Sequence, residues 1–486
     1  MQTLSSTKTQ SWLTWFLRGL LILGFLVLAA RLFELQVIKG AYYRTASEEN
    51  RIRHIPIPAK RGKIYARSGD VLTGREFAHI TGFVSETNEN EVGKIDPVCP
   101  DKGPMRFGQL VGRGGLNEKY NCILTGVDGA ELIEVDTNGN KIRTLGIKKP
   151  MPGKDIRTTV DYGLQLKAAG ILGQRKGAIV ATDTNGEVLV FYSGPTFDPN
   201  DIEKDLKNKD LPFFNRVIGG TFHPGSVFKP VIVISALEES KIDKDYRFLD
   251  KGAIEIKTLY GNFSYSNWYF TQYGRTEGEI DLVRAIARST DTFFYTIGEM
   301  VGPETIAKYA DKFGLDKKTG IDIPGEIGGL IPTPDWKRKV KNENWFLGNT
   351  YHLAIGQGDI ALTPIGLNQS ISGIATGNLC RPNFVGEKKC KSLNLKKENL
   401  ELVKEGMKKV CLDGGTGYTF FNYPEGVFCK TGTAEVGLDG DTHAWFTLFS
   451  DDIVLTVLVE RGGEGSKVAG PVAREIMDYV YLRKNP

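Results

Sequence analysis

Short apolar runs bounded by turn residues predict strands in two parts of the chain after residue 150. The first group lies at Ile156–Thr159, Gly177–Asp183 and Glu187–Ser193, and the second at Gly426–Ala434, Ala444–Phe449 and Ile453–Glu460. The turn at Thr184–Gly186 is a strong hairpin signal between the two longer strands of the first group. Two strands before a helical middle and three after it predict one antiparallel sheet of about five strands, in an α/β fold.

Elsewhere in the same region the apolar positions recur at the helical period. Helices are predicted at Leu164–Leu172, Val227–Leu237, within 279–314, and at Thr363–Ala375, Lys396–Val410 and Val468–Tyr481. Breaks within 279–314 are expected near Ser289–Asp291 and Gly302–Pro303, where turn-forming residues interrupt the pattern. We expect these helices to flank the sheet and to form a helical subdomain.

The N-terminal segment Trp12–Ala30 is apolar except for Thr14 and Arg18, and it is long enough to cross a bilayer. A cleaved signal peptide is the alternative, with Val27–Ala29 as a cleavage site. The segment continues amphipathically through Arg31–Leu35, which favours an uncleaved anchor. Basic residues flank both sides, so the positive-inside rule alone does not orient the segment.

A chain of 486 residues predicts two or three domains. The region between the anchor and Met151–Gly153 is mixed, with a polar helical stretch at Tyr42–Arg53 and a hairpin turn at Asp136–Asn140. It carries no convincing chemistry and is typical of a spacer or docking module. The predicted division is a tail and transmembrane anchor at 1–40, an N-terminal pedestal, similar to a dimerisation domain, at 41–150, and a catalytic domain at 151–486.

Charge and histidine content exclude two classes of function. The chain has 62 Lys and Arg against 58 Asp and Glu, a net charge of +4, and it contains no basic block typical of nucleic-acid binding. Its five histidines are scattered, and neither C-x-x-C nor H-x-x-x-H occurs, so we expect no metal site.

Six cysteines follow the anchor, an even number that makes disulfides plausible if that side of the membrane is oxidising. Nearest-neighbour pairing joins Cys99 to Cys122, Cys380 to Cys390 and Cys411 to Cys429. Six cysteines allow fifteen connectivities, and free buried thiols remain the alternative.

Ser226 opens the apolar run Val227–Leu237 directly after His223–Gly225, and Lys229 lies three residues later on the same helix face. A serine hydroxyl needs a base within hydrogen-bond reach to become a nucleophile, and a lysine with a lowered pKa can be that base. The pair alone is weak evidence, because Ser5–Lys8 has the same spacing.

Two further motifs lie later in the chain. Lys430–Thr433 falls on a predicted strand, where the lysine supplies a cation, the threonine hydroxyls can bind a carboxylate, and glycine lets a substrate backbone approach. The copy at Lys318–Gly320 precedes a loop sequence and is not preferred.

Ser289–Asp291 separates two predicted helices, and its serine can relay a proton. A helix cap at Asp291 is the alternative, and Ser392–Asn394 is interpreted as surface.

In chain order, the Ser226 and Lys229 pair, Ser289–Asp291 and Lys430–Gly432 resemble the three motifs of penicillin-binding proteins and serine β-lactamases. Other runs that resemble penicillin-binding transpeptidases are His223–Pro230, Ala354–Gly358, Leu362–Pro364 and His443–Phe446, with Arg31–Gln36 and Arg61–Gly69 resembling the N-terminal region of class B members. The resemblance covers nearly the whole chain and points to a class B, monofunctional penicillin-binding protein of the elongation or cell-shape transpeptidase type.

The subclass follows from two features. About 110 residues between anchor and catalytic domain are too few for the glycosyltransferase domain of a class A enzyme. Asp291, where much of the superfamily has Asn, resembles the elongation branch, and the division branch is the near alternative. The resemblance implies a five-stranded antiparallel sheet flanked by helices, a helical subdomain, an N-terminal membrane helix and a mostly-β pedestal.

The resemblance also implies residue roles. Ser226 attacks the carbonyl of a D-Ala-D-Ala stem peptide and Lys229 takes its proton, with Asp291 orienting Lys229. Ser289 and Lys430 relay protons to the leaving D-Ala. Backbone N–H groups of Ser226 and Thr433 form the oxyanion hole, Thr431 and Thr433 hold the terminal carboxylate, and Gly432 lies between them.

The implied partners are stem peptides as substrates, β-lactams as covalent inhibitors, and a SEDS-type membrane glycosyltransferase. No cofactor and no nucleic acid are implied. The implied location is the bacterial cytoplasmic membrane, with one span and the catalytic domain outside. A serine β-lactamase would need a water-activating carboxylate or a carboxylated lysine and no pedestal. A β-lactam sensor would carry several spans, and a catalytically dead scaffold would have lost a motif.

Overall fold

The structure, a computed structural model of the chain, describes residues 11–96, 99–258, 261–437 and 440–485. These residues form two compact units. The first comprises residues up to Arg61 together with Thr125–Gly153, and the second comprises Gly62–Leu124 and the chain from Lys154 onward. The chain therefore leaves the first unit after Arg61, returns to it at Thr125, and leaves it again after Gly153.

The first unit begins with the α-helix Ser11–Phe33, which continues through a π-helical turn at Glu34–Ile38. Its stretch Trp12–Ile38 has a mean hydropathy of 2.1 over 27 residues, long and apolar enough to cross a membrane. The Glu34 carboxylate forms ion pairs with Arg31 at 2.5 Å and with Lys39 at 2.7 Å, so these three charged side chains lie together at the end of the apolar segment.

A three-stranded antiparallel sheet completes the first unit. The helix Gly40–Arg51 runs directly into the strand Ile52–Ile57, which pairs with Gly129–Val135, and that strand pairs with Lys141–Lys148. The hairpin predicted at Asp136–Asn140 is confirmed. The Asp136 carboxylate accepts hydrogen bonds from the backbone N–H groups of Asn138 and Asn140 at 2.9 and 2.8 Å, so this side chain replaces strand hydrogen bonds at the turn.

The second unit is built on a five-stranded antiparallel sheet. Its strands, labelled in chain order, are β1 (Gly177–Thr182), β2 (Val188–Gly194), β3 (Phe428–Val436), β4 (Asp441–Phe449) and β5 (Val454–Val459). The spatial order is β3-β4-β5-β1-β2. This confirms the predicted sheet of two early and three late strands, and it leaves β3 as an edge strand.

Helices cover both faces of this sheet. On β4, Phe446 and Thr447 point to opposite faces because strand side chains alternate. The Thr447 hydroxyl contacts that of Thr456 at 3.1 Å, and Asn368 of the helix Pro364–Thr376 lies against the same face. Phe446 packs on the other face against Gly470 of the C-terminal helix. The sheet is consequently buried between helical layers.

The remaining helices of the second unit lie around this core. They are Ala78–Thr81, Gly115–Lys119, Asn121–Leu124, Tyr162–Leu172, Lys229–Glu238, Trp268–Tyr273, Leu282–Arg288, Asp291–Val301, Pro303–Lys312, Pro334–Lys341, Leu347–Ala354, Lys397–Val410 and Ala469–Lys484. Smaller strand pairs join Ile64–Tyr65 to Ile156–Arg157, Phe83–Glu86 to Leu110–Arg113, Arg247–Asp250 to Gly278–Asp281, Ala253–Thr258 to Gly261–Ser266, and Asn378–Cys380 to Cys390–Ser392.

The structure pairs all six cysteines between nearest neighbours along the sequence: Cys99–Cys122, Cys380–Cys390 and Cys411–Cys429. The third of these joins the residue after the helix Lys397–Val410 to strand β3. Cys429 immediately precedes Lys430, so the disulfide ties the edge strand of the sheet to a helix beside the third motif.

Candidate active site

Ser226 lies at the start of a helical segment that faces the edge strand β3. A single 3-10 turn spans Gly225–Phe228, and the α-helix Lys229–Glu238 follows it without a break. Ser226 is half-buried, whereas Lys229 is fully buried. The predicted helix is therefore present, but its first turn is tighter than an α-helical turn.

Gly225 fixes the position of this turn. Its φ of +55° lies in the left-handed region that favours glycine. A Cβ at Gly225 would lie 2.7 Å from the carbonyl oxygen of Thr433, and its N–H donates to the carbonyl of Gly356 at 2.9 Å. The turn is thus held between β3 and the Gly356 loop, which brings the backbone of Ser226 next to that of Thr433.

Two more contacts hold the segment that precedes Ser226. The indole Nε1 of the fully buried Trp445 donates to the carbonyl of His223 at 2.9 Å. Phe222 exchanges backbone hydrogen bonds of 2.9 and 2.8 Å with Leu362. The runs His443–Phe446 and Leu362–Pro364, noted in the sequence for their resemblance, therefore position the segment that carries the nucleophile.

Lys229 extends its ammonium into a buried polar cluster. The Nζ donates to the Ser289 carbonyl at 2.9 Å, to the Ser289 hydroxyl at 3.1 Å and to Asp291 Oδ1 at 2.6 Å. It also lies 4.8 Å from the centre of the Phe294 ring. Burial lowers the pKa of Lys229 below its ordinary value, and the Asp291 carboxylate opposes that shift.

Ser289 links the two lysines of the motifs. Its hydroxyl accepts from Lys229 Nζ at 3.1 Å and from Lys430 Nζ at 3.0 Å. The residue terminates the helix Leu282–Arg288 in the left-handed conformation, with φ of +55°, which costs a non-glycine residue backbone strain. This conformation directs the serine between the lysines, so a proton can pass through one hydroxyl from either amine.

Lys430 is also fully buried, and its second hydrogen bond goes to the Thr431 carbonyl at 3.0 Å. Burial and the nearby Lys229 hold the pKa of Lys430 well below its ordinary value. Two donated hydrogen bonds suit the two N–H groups of a neutral amine, whereas the three donated by Lys229 suit an ammonium. The cluster therefore favours a proton on Lys229 rather than on Lys430.

Asp291 is the first residue of the helix Asp291–Val301, and its carboxylate does not cap that helix. One oxygen accepts from Lys229, and the other accepts the backbone N–H of Trp268 at 3.0 Å. The Asn267 side chain accepts the Asp291 N–H at 3.1 Å and itself donates to the buried Asp250 at 3.1 Å. The sequence reasoning missed Asn267 and Trp268, since nothing in their local pattern indicates this contact.

The threonines and glycine of the third motif line the edge strand. Thr433 is exposed and its hydroxyl accepts the Gly465 N–H at 3.1 Å, while Thr431 is mostly buried. A Cβ at Gly432 would lie 2.9 Å from a Val227 methyl and 3.0 Å from the Pro224 carbonyl. Glycine is therefore required for β3 to lie against the nucleophile segment.

The duplicate motifs lie elsewhere. The backbone of Thr319 and Gly320 forms a turn around Glu326, which accepts their N–H groups at 2.6 and 2.9 Å. Ser392 and Asn394 are exposed and bond mainly to each other. The Ser5–Lys8 copy lies outside the described residues. Within the described ranges, no group of three or more His, Cys, Asp or Glu could hold a metal ion.

Comparisons with known proteins agree with this geometry. A family model described as the penicillin binding protein transpeptidase domain matches residues 177–478, and one described as the penicillin-binding protein dimerisation domain matches 73–158. The peptidoglycan D,D-transpeptidase MrdA of Salmonella typhimurium is 31% identical over 84% of this chain and 72% of its own length. MrdA of Acinetobacter baumannii is 27% identical over 97% of this chain and 88% of its own length.

Solved structures show the same fold. Pseudomonas aeruginosa PBP2 in complex with WCK 5153 matches with a TM-score of 0.74 and 30% identity, covering 88% of this chain and 96% of that one. A structure on coordination of polymerization and crosslinking by a peptidoglycan synthase complex matches with a TM-score of 0.73 and 26% identity. The match covers 95% of this chain and 97% of that one. Helicobacter pylori PBP2 in complex with MreC shares the fold with a TM-score of 0.78 and 23% identity. The match covers 90% of this chain and 99% of that one.

A half-buried serine lies on a turn fixed against the edge strand, one turn before the buried Lys229, and the Ser289 hydroxyl joins Lys229 to the buried Lys430. This arrangement suits acyl transfer through a serine ester. With the family match over most of the second unit and a curated relative at 31% identity, this chain belongs to the penicillin-binding protein transpeptidase family, in its class B elongation branch.

Proposed function

We propose that the protein is a peptidoglycan D,D-transpeptidase that cross-links stem peptides during cell-wall elongation through an acyl-enzyme on Ser226. The observation that carries the proposal is the buried chain of hydrogen bonds from Lys229 through Ser289 to Lys430. Such a chain can take a proton from a nucleophile on one side and return it to a leaving amine on the other.

In the first step the Ser226 oxygen attacks the carbonyl carbon of the penultimate D-Ala, and its proton passes to the neutral form of Lys229. The low pKa that burial gives Lys229 makes that neutral form accessible. The N–H groups of Ser226 and Thr433 stabilise the negative oxygen that develops, which the close contact of Gly225 with Thr433 supports.

In the second step the peptide C–N bond breaks and the terminal D-Ala leaves with a proton delivered through Ser289. This is the proton that Lys229 took from Ser226. Lys430, a neutral amine hydrogen-bonded to the same hydroxyl, relays it, so both lysines end the step in the protonation states in which they began. An amine from a second stem peptide then attacks the ester carbon, the C–O bond to Ser226 breaks as the new amide forms, and the proton that the amine loses returns to the Ser226 oxygen through Lys229. Asp291 keeps Lys229 in place, and the hydroxyls of Thr431 and Thr433 bind the substrate's terminal carboxylate.

The apolar N-terminal helix supports a proposal for location and partners. We place residues 1–40 as a cytoplasmic tail and single membrane span, 41–150 as a pedestal, and 151–486 as the catalytic domain outside the cytoplasmic membrane. The similarity to a synthase-complex structure supports a membrane-embedded glycan polymerase of the SEDS family as partner. β-Lactams are proposed as covalent inhibitors that acylate Ser226.

A β-lactamase is the rival function, and it would need a base that activates water over the ester. Three of the glutamates between the second and third motifs each have another partner. Glu299 accepts from the Tyr351 hydroxyl at 2.6 Å, Glu326 is buried in the turn at Thr319, and Glu343 pairs with Lys337 at 3.2 Å. Glu326 caps that turn with both carboxylate oxygens and is not free to activate water.

We therefore expect a penicillin adduct that lasts minutes to hours. A hydrolysis rate constant near 10⁻⁴ s⁻¹ instead of ~1 s⁻¹ corresponds to roughly 5 kcal/mol of barrier that a dedicated base would remove. The measurement labels the protein with fluorescent penicillin, adds excess unlabelled drug, and follows the label on the Ser226 peptide. Loss of the label within seconds, with steady penicillin hydrolysis, would establish the β-lactamase function instead.

A further inference from the structure

The loop Cys411–Gly417 joins the helix Lys397–Val410 to the segment that leads into β3, and it folds back tightly. Gly414 has a φ of +83°, in the left-handed region. A Cβ at Gly415 would lie 2.2 Å from the Val410 carbonyl, and the Gly417 N–H donates to that carbonyl at 2.9 Å. The glycines thus fold the chain over the helix end, with Thr416 at a fixed position between them.

On one side this loop contacts the helix that ends at Ser289. The Thr416 N–H donates to the carbonyl of Ala287 at 3.2 Å, and Arg288 Nη1 donates to the carbonyl of Gly414 at 3.3 Å. Both contacts involve the two residues that directly precede Ser289. The loop is therefore attached to the element that carries the bridging serine.

On the other side the loop contacts β3 at two residues that flank Lys430. Cys411 forms the disulfide with Cys429, and the Thr416 hydroxyl lies 2.8 Å from the Thr431 hydroxyl, within hydrogen-bond distance. Two loop residues are thus bonded to β3 on either side of Lys430, Cys411 to Cys429 and Thr416 to Thr431. Thr416 itself is half-buried; its hydroxyl contacts the third motif at Thr431, and its N–H bonds to Ala287 in the helix that ends at Ser289.

We propose that Thr416 is a positioning residue that orients the Thr431 hydroxyl toward the terminal carboxylate of the substrate. The inference rests on the proposed function, in which Thr431 binds that carboxylate. A hydroxyl has one proton to donate and two lone pairs. When Thr416 donates its proton to the Thr431 oxygen, the Thr431 proton is left for the anionic substrate, and hydrogen bonds to a charged group are stronger than neutral ones.

The test separates binding from chemistry, using penicillin, whose carboxylate takes the place of the substrate's. Rapid-mixing kinetics on the full chain give the Kd of the initial complex and the rate constant of acylation. We expect Thr416→Val to raise the Kd about tenfold, the cost of one hydrogen bond to a charged group, with the acylation rate constant nearly unchanged. Thr416→Ser, which keeps the hydroxyl, should restore the wild-type Kd, and Thr416→Ala should match the valine variant.

Two controls separate this role from a general effect on folding. Thr419→Val removes a nearby buried hydroxyl that has no hydrogen-bond partner among the described residues, so the Kd of this variant should equal that of the wild type. In a Thr431→Val background, Thr416→Val should add no further loss, because residues that act through one another are not additive. A wild-type Kd in Thr416→Val, failure of serine to restore it, or additive losses in the double variant would overturn the proposal. Failure of the wild type to acylate at all would instead overturn the proposed function.

Discussion

Replacing Ser226 with alanine is expected to abolish covalent labelling by fluorescent penicillin while the protein stays folded. The side chain is half-buried on the turn that faces β3, one turn before Lys229, which forms a buried hydrogen-bonded cluster with Ser289 and Lys430. Without the hydroxyl no ester can form, so the loss should be complete rather than partial. Gel fluorescence of labelled membranes measures it, and peptide mapping of the wild type should place the adduct at 226.

The matched control is Ser5→Ala, which alters the other serine that lies three residues before a lysine. Labelling of this variant should equal that of the wild type. Retained labelling in Ser226→Ala, or an adduct mapped to another serine, would remove the basis for the mechanism.

Lys229→Ala should acylate at least about a hundredfold more slowly, since general-base catalysis contributes roughly 10²–10⁴. The wild-type rate should rise with pH, because burial lowers the pKa of Lys229 below its ordinary value and the neutral amine is the active base. The alanine variant should be slow and lack that rise. Acylation rate constants measured across a pH series give both results.

The two Lys-Thr-Gly copies provide an internal control for Lys430. Lys430→Ala should be severely defective, because its Nζ contacts the bridging hydroxyl of Ser289. Lys318→Ala should be nearly neutral, since its motif forms a turn around Glu326. Equal defects in the two variants, or a Lys229→Ala enzyme with the wild-type pH profile, would contradict the assigned roles.

The sheet and the order of the motifs could be predicted from the sequence because their signals are local. Strand-length apolar runs, the turn at Thr184–Gly186 and the helix pattern around Pro364–Thr376 each depend on a few adjacent residues. A local signal also distinguishes the two Lys-Thr-Gly copies, because Lys430 lies within a strand-like run and Lys318 precedes a loop sequence. The structure places it beside the other two motifs.

The contacts that organise the site could not be predicted, since they join residues distant in sequence. The Asn267 and Trp268 pair reaches Asp291 from a segment between two small strand pairs, and Thr416 meets Thr431 through a loop. The left-handed conformation of Ser289 is imposed by its surroundings against the local preference of a serine. A pattern of adjacent residues carries no information on such pairings.

Cross-linking by the purified full chain tests the central claim most directly. The protein is incubated with uncross-linked glycan strands whose stem peptides end in D-Ala-D-Ala, and the products are digested with a muramidase and identified by mass spectrometry. We expect cross-linked dimers, one D-Ala released for each dimer, and neither product from Ser226→Ala or from protein treated with penicillin. Release of D-Ala with shortened stem peptides and no dimers would show that water accepts the acyl group, and dimers made by Ser226→Ala would contradict the account outright.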